Sequence, residues 1–169
     1  EYRRGLKLLG QRPGDKVEFP SQPRERRSRS MMEVVVNAPG WRVEIYNSLS
    51  RAEEREVRFT TTLSGEVPLD LELKKKGVLG GGEFALGDQE LDQKLAISGG
   101  WTKEQLARLG AASLRPLLLE AVEDFAMKLE ERELSFTFAG YPSGEGGTLA
   151  AVDKVVALAG ALEGAIAGR

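Results

Sequence analysis

The chain contains neither cysteine nor histidine. Those two absences remove zinc fingers, Ser-His-Asp and Cys-His catalytic sets, haem held by imidazole or thiolate, and thiol redox chemistry. No run of eighteen apolar residues occurs, so no segment of this sequence spans a bilayer as a helix. Aromatic residues make up only 7% of the chain, and Tyr2, Trp41, Tyr46, Trp101 and Tyr141 are too scattered to form a stacking platform for single strands. A basic excess is also missing: the net charge is -2, which argues against nucleic acid as a partner. An enzyme made from what remains would use carboxylate, lysine, tyrosine or Ser/Lys chemistry, or magnesium or calcium held by oxygens. No such constellation stands out, and neither a catalytic residue nor a cofactor is expected.

What is present suits one α+β domain covering residues 1–169. A chain of this length buries about 70% of its unfolded surface and holds a core without disulfide or metal. The charge is unevenly spread. Residues 1–30 carry nine Lys/Arg against four Asp/Glu, a net of +5, which leaves 15 against 22, a net of -7, for the rest. This basic, partly irregular N-terminal segment is densest at Arg24, Arg26, Arg27 and Arg29, between prolines and a Met-Met pair. It reads as a solvated loop or as a contact for anionic lipid or an acidic partner. The first residue is Glu1, and the expectation drawn from it is a processed product or a fragment.

Up to about residue 100 the texture is β. Val17–Phe19, Met32–Asn37, Trp41–Tyr46, Val57–Leu63 and Leu69–Leu73 are alternating or β-branched runs divided by Gly, Pro, Asn and Ser. Lys74-Lys75-Lys76-Gly77 and Gly80-Gly81-Gly82 have the wrong order for a phosphate loop and read as a solvated hairpin tip. Thereafter helices appear. Thr102-Lys103-Glu104-Gln105 is a capping box for a helix ending near Gly110, and Ser113 is placed as the next N-cap, with Pro116 in the first turn. A hairpin turns at Glu131-Arg132, with Leu134, Phe136 and Phe138 inward. Thr148 caps a last helix lined by Leu149, Val152, Val156, Ala159, Leu162 and Ile166. Gly160, Gly164 and Gly168, four apart, read as close packing on the sheet or as a seam between two copies.

Asp88, Glu90 and Asp92 alternate like the start of a calcium loop, but Gln93 and Gly99 stand where such a loop requires glycine and glutamate. Turn formation by Gly87-Asp88, capping by Asp88 or Asp92 and insertion of Leu91 into the core are expected instead. Glu130, Glu131 and Glu133 read as a solvated edge.

The pattern Phe-x-x-Gly-Asp-x-x-x-Asp-x-x-Leu-x-Ile over Phe84–Ile97, followed by helix, helix, hairpin and a small-residue helix, resembles the soluble domain of a diffuse group of uncharacterised bacterial membrane-associated proteins. Gly87, Asp88, Glu90 and Asp92 match that group's segment. Gln89 stands where proline is usual, and Leu91 and Leu95 where phenylalanine is usual. The resemblance spans residues 84–166 and implies a domain tethered at the inner membrane from the cytoplasmic side by segments outside this chain, with no activity to transfer.

The expected fold is α+β, with an antiparallel sheet of roughly five to seven strands covered by two helices from the C-terminal half. Its core contains Trp41, Val43, Ile45, Phe59, Leu71, Leu91, Leu95, Leu118, Val122, Phe125, Phe136, Phe138, Val152 and Val156. The expected function is a non-enzymatic interaction or scaffold domain using a protein partner or self-association. The alternative is a small-ligand-binding domain or a carboxylate- or lysine-dependent enzyme with an apolar pocket between sheet and helices.

Overall fold

The computed structural model describes residues 11, 14, 16–18, 30–38, 40–49, 55–140 and 147–168. The fold is α+β. Among the described residues eight strands follow one another in the hydrogen-bonded order β1-β2-β3-β4-β8-β7-β5-β6, one more than the upper end of the expected range. They are β1 (Lys16–Glu18), β2 (Ser30–Ala38), β3 (Trp41–Leu49), β4 (Arg55–Thr62), β5 (Leu71–Lys75), β6 (Leu95–Gly99), β7 (Ala126–Glu130) and β8 (Glu133–Ala139). The strand that the sequence pattern hides is β6. Its Leu-Ala-Ile run has no polar alternation, directly follows a helix and is buried at all three residues. Four helices accompany the strands among the described residues: α2 (Lys103–Leu109), α3 (Arg115–Asp124) and α4 (Gly147–Ala167), which the sequence pattern predicts, and α1 (Gln89–Lys94), which it does not.

The chain forms two compact units, Glu1–Thr61 with Thr137–Val156, and Thr62–Phe136 with Ala157–Arg169. In the first unit β1 to β4 form an antiparallel meander, and each strand pairs with the next in sequence. Ile45 faces Phe59 across β3 and β4, and both are fully buried beside Val43 and Val57. Val34, Val35 and Val36 are buried in succession, so both faces of β2 are covered at that point, as a continuous apolar run allows. Phe138 meets Phe59 edge-on, ring centroids 5.6 Å apart. Trp41 and Phe138 are only half-buried, against the expectation of full burial. Trp41 opens its strand beside the turn at Gly40 and Phe138 lies near the end of β8, where a strand leaves the core.

In the second unit β5 runs antiparallel between β6 and β7, with Leu73 opposite both Ile97 and Leu129. Helix α3 lies against β7 and α1. Leu118 and Val122 of α3 are buried, and Phe125 at its C-cap stacks on Phe136 at 4.8 Å. The capping box of α2 is formed as spaced: Gln105 N–H donates to Thr102 Oγ1 at 3.2 Å, and Thr102 N–H donates to Gln105 Oε1 at 2.9 Å.

Ser113 does not cap α3. Leu114 occupies the N-cap position without a side-chain bond, because the preceding turn already directs the Leu114 and Arg115 N–H groups to Ala111 O. Nor does Thr148 sit outside its helix; it is buried one residue inside α4. The apolar stripe of α4 buries Val152, Val155, Leu158, Ala159, Leu162 and Ile166, while Val156 is half-buried. Gly160 and Gly168 are exposed and Gly164 is half-buried, so close packing is not what places Gly160 there. No helix among the described residues is long and apolar enough to cross a membrane.

Candidate functional site

The segment from Phe84 to Ile97 gathers a cluster of polar contacts in the second unit. Asp88 is the N-cap of α1, and its Oδ1 accepts from the N–H groups of Glu90 and Leu91, both at 3.1 Å. That supplies two of the amides a helix start leaves unpaired. Asp92 turns back on the loop before the helix: Leu86 N–H donates to Oδ1 at 2.7 Å and Gly87 N–H to Oδ2 at 3.0 Å. Gly87, with a φ of +81°, makes the turn between them. Leu91, between these carboxylates in sequence, is fully buried.

A second layer of charge closes over this segment. Arg115, at the first turn of α3, donates from Nε to Asp88 Oδ2 at 2.6 Å and from Nη2 to Glu90 Oε2 at 2.7 Å. Lys94 bridges Glu90 at 3.1 Å and Glu123. Lys76 Nζ donates to the backbone oxygen of Asp92 at 3.0 Å. The Arg115 guanidinium, then the Leu91 amide, hold the Asp88 carboxyl below its ordinary range. Arg115 and then Lys94 do the same for Glu90. Lys94 is pushed up by Glu123 and then Glu90. Carboxylates held ionised in this way are poor proton donors at neutral pH, because a general acid needs its pKa raised.

Gly87, Asp88, Leu91 and Asp92 thus lie in one short structural knot. Among the described residues no group of three acidic side chains is arranged to hold a metal ion. Glu130 and Glu131 are exposed at the β7–β8 hairpin and Glu133 is half-buried. Arg24, Arg26, Arg27 and Arg29 lie outside the described residues. The sequence does not reveal Arg115, since nothing local marks a residue 27 positions away as the partner of Asp88.

A further feature passed over in the sequence is the pair Val78 and Leu79 between the lysines and the glycines. Both are fully exposed, at 105% and 103% of the reference area. They are the corners of a turn closed by Gly80 N–H donating to Gly77 O at 3.0 Å.

No family model and no curated protein matches the chain. Among solved structures, the chain is similar to the crystal structure of the mycobacterial trehalose monomycolate transport factor A, TtfA, with a TM-score of 0.58 and 14% identity. The match covers 98% of this chain and 95% of that one. At such identity the likeness concerns the fold alone.

Proposed function

We propose that this chain is a non-enzymatic interaction domain that works beside a bacterial membrane, on its cytoplasmic side, through a protein partner or self-association. The observation that carries this reading is the state of the charged groups in the Phe84–Ile97 segment. Asp88 and Asp92 are engaged by backbone amides, and Glu90, Lys94 and Arg115 by one another. Groups so committed hold a loop in place and leave its neighbours to present a surface. The likeness to TtfA supports the setting, because that protein is named as a transport factor for trehalose monomycolate and its fold is matched over nearly the whole of this chain. The resemblance of residues 84–166 to membrane-associated proteins points the same way.

The test is photocrosslinking from exposed positions of the β7–β8 hairpin and of α4, in cells producing the full chain, followed by fractionation. A discrete protein adduct in the membrane fraction is the expected result. A stoichiometric small molecule retained in native mass spectrometry, with no protein adduct, would overturn the reading in favour of a ligand-binding domain.

A further inference from the structure

The turn at residues 77–80 is unusual in what it exposes. Turn corners are ordinarily polar or glycine, and an apolar pair there forfeits burial without any gain in backbone freedom. Neither Val78 nor Leu79 has a positive φ, so the turn does not need these residues for its geometry. Among the described residues the one other exposed large hydrophobic is Leu69, before the opposite end of β5.

The stems of the loop are pinned. On one side Lys76 N–H donates to Lys94 O at 2.7 Å; on the other Glu83 N–H donates to Ile97 O at 2.7 Å, and Phe84 bridges Ile97. Gly82 passes so close to β6 that a Cβ there would lie 3.0 Å from Ile97 N. Gly80, Gly81 and Gly82 all have positive φ, which carries the chain out to the apolar corner and back within a few residues. The result is a short projection on a fixed base.

The stem before it is cationic. Lys74 and Lys75 end β5, are exposed and carry no ion pair among the described residues. Lys76, half-buried, donates from Nζ to the backbone carbonyl of Asp92.

We propose that this turn is an interfacial anchor, seating Val78 and Leu79 at the boundary between headgroups and acyl chains of an anionic bilayer while Lys74, Lys75 and Lys76 meet the lipid phosphates. Two observations favour lipid over protein. Two isolated side chains fall far short of the roughly 800 Å² per partner of a stable protein interface. An apolar tip with three lysines on the stem before it has the complementarity of an anionic membrane surface, apolar below and negative at the rim. The inference rests on the membrane setting proposed above and supplies it with a contact surface.

The experiment uses the purified full chain and vesicle flotation, with phosphatidylcholine alone or mixed with phosphatidylglycerol. Binding is expected only with the anionic lipid. Val78→Ser with Leu79→Ser should weaken it about tenfold, and each Lys→Gln change at 74 or 75 severalfold, with unchanged melting temperature because these residues are exposed. As the chain has no cysteine, Leu79→Cys can carry a single environment-sensitive fluorophore, whose emission should shift to the blue on anionic vesicles. Undiminished binding by the double-serine variant, or a probe that stays in water on bound vesicles, would overturn the anchor. A protein adduct formed while the chain ignores every vesicle would also defeat the anchor and leave the interaction reading standing. Flotation through the turn with no protein adduct would retain the anchor and defeat the partner reading.

Discussion

Leu91 shows how a single residue fixes the role of the segment around it. It is fully buried between two carboxylates that hold backbone amides, so its side chain is the apolar counterpart of a polar staple. Leu91→Ala should cost about 2–5 kcal/mol, read from denaturant unfolding, because a loop pinned at both ends cannot collapse into the cavity. Glu90→Ala, on the exposed side of the same helix, should cost far less. Arg115 offers a test of the electrostatics. Asp88 and Glu90 both have folded-state pKa values below their ordinary ones. The stability they contribute is therefore fully present above the unfolded carboxylate pKa of about 4 and is lost as pH falls through the lower folded values. In Arg115→Gln the largest cause of both shifts is gone. The melting temperature of this variant should lie below that of the parent at pH 7, and the gap should narrow as the pH is taken down through the acid range. A gap that stayed constant with pH would mean that Arg115 acts by packing instead of charge. The amide bonds of Asp88 and Asp92 reach only a few residues along the chain, and their spacing is therefore readable from local sequence. The guanidinium that covers them comes from another helix and leaves no local mark.

Elements were legible where periodicity and punctuation agreed. The capping box at Thr102 and Gln105 is a reciprocal pair three residues apart and forms whatever the tertiary context. The β7–β8 hairpin turns at Glu131 and Arg132, both with positive φ, and Arg132 secures it by donating to Val67 O. Strand β6 is not legible in the sequence because burial on both faces erases alternation. The start of α3 lies one residue beyond the Ser113 cap that the sequence suggests, because a backbone turn does the work of a side-chain cap. Glycine meaning was equally dependent on context. Gly99 has a φ of +96°, and a Cβ there would lie 1.8 Å from Asp70 O. Gly160 is a solvent-facing position of a long helix. Gly99→Ala should therefore destabilise by about 2 kcal/mol or more, whereas Gly160→Ala should stabilise by up to about 1 kcal/mol. Sedimentation of the Gly160→Ala protein separates stability from association: a stabilised chain that loses a dimer present in the parent would assign the glycine stripe to a seam between copies.

For the whole molecule, the decisive quantity is where charge of each sign is concentrated. The chain is acidic overall, yet its first thirty residues have a net charge of +5. Four arginines lie within six residues, flanked by proline and serine and with the single carboxylate of Glu25 among them. Each held near an anionic bilayer contributes on the order of 1 kcal/mol at low salt, and that contribution decays over a Debye length of about 10 Å at 0.1 M salt. The apolar corner at Val78 and Leu79 obeys a different law, since burial of apolar surface is not screened. Replacing Arg24, Arg26, Arg27 and Arg29 together by serine should lower vesicle binding at low salt and flatten its dependence on salt. The residual binding should be the part that Val78→Ser with Leu79→Ser removes. Flotation across a salt series, on the parent, each variant and their combination, measures both contributions at once. If the arginine variant binds like the parent at every salt concentration, these four arginines play no part in adhesion. The acidic remainder of the chain would then have to be held at the bilayer by the turn and its three lysines alone, a contact weak enough to need a second tether or a membrane-bound partner.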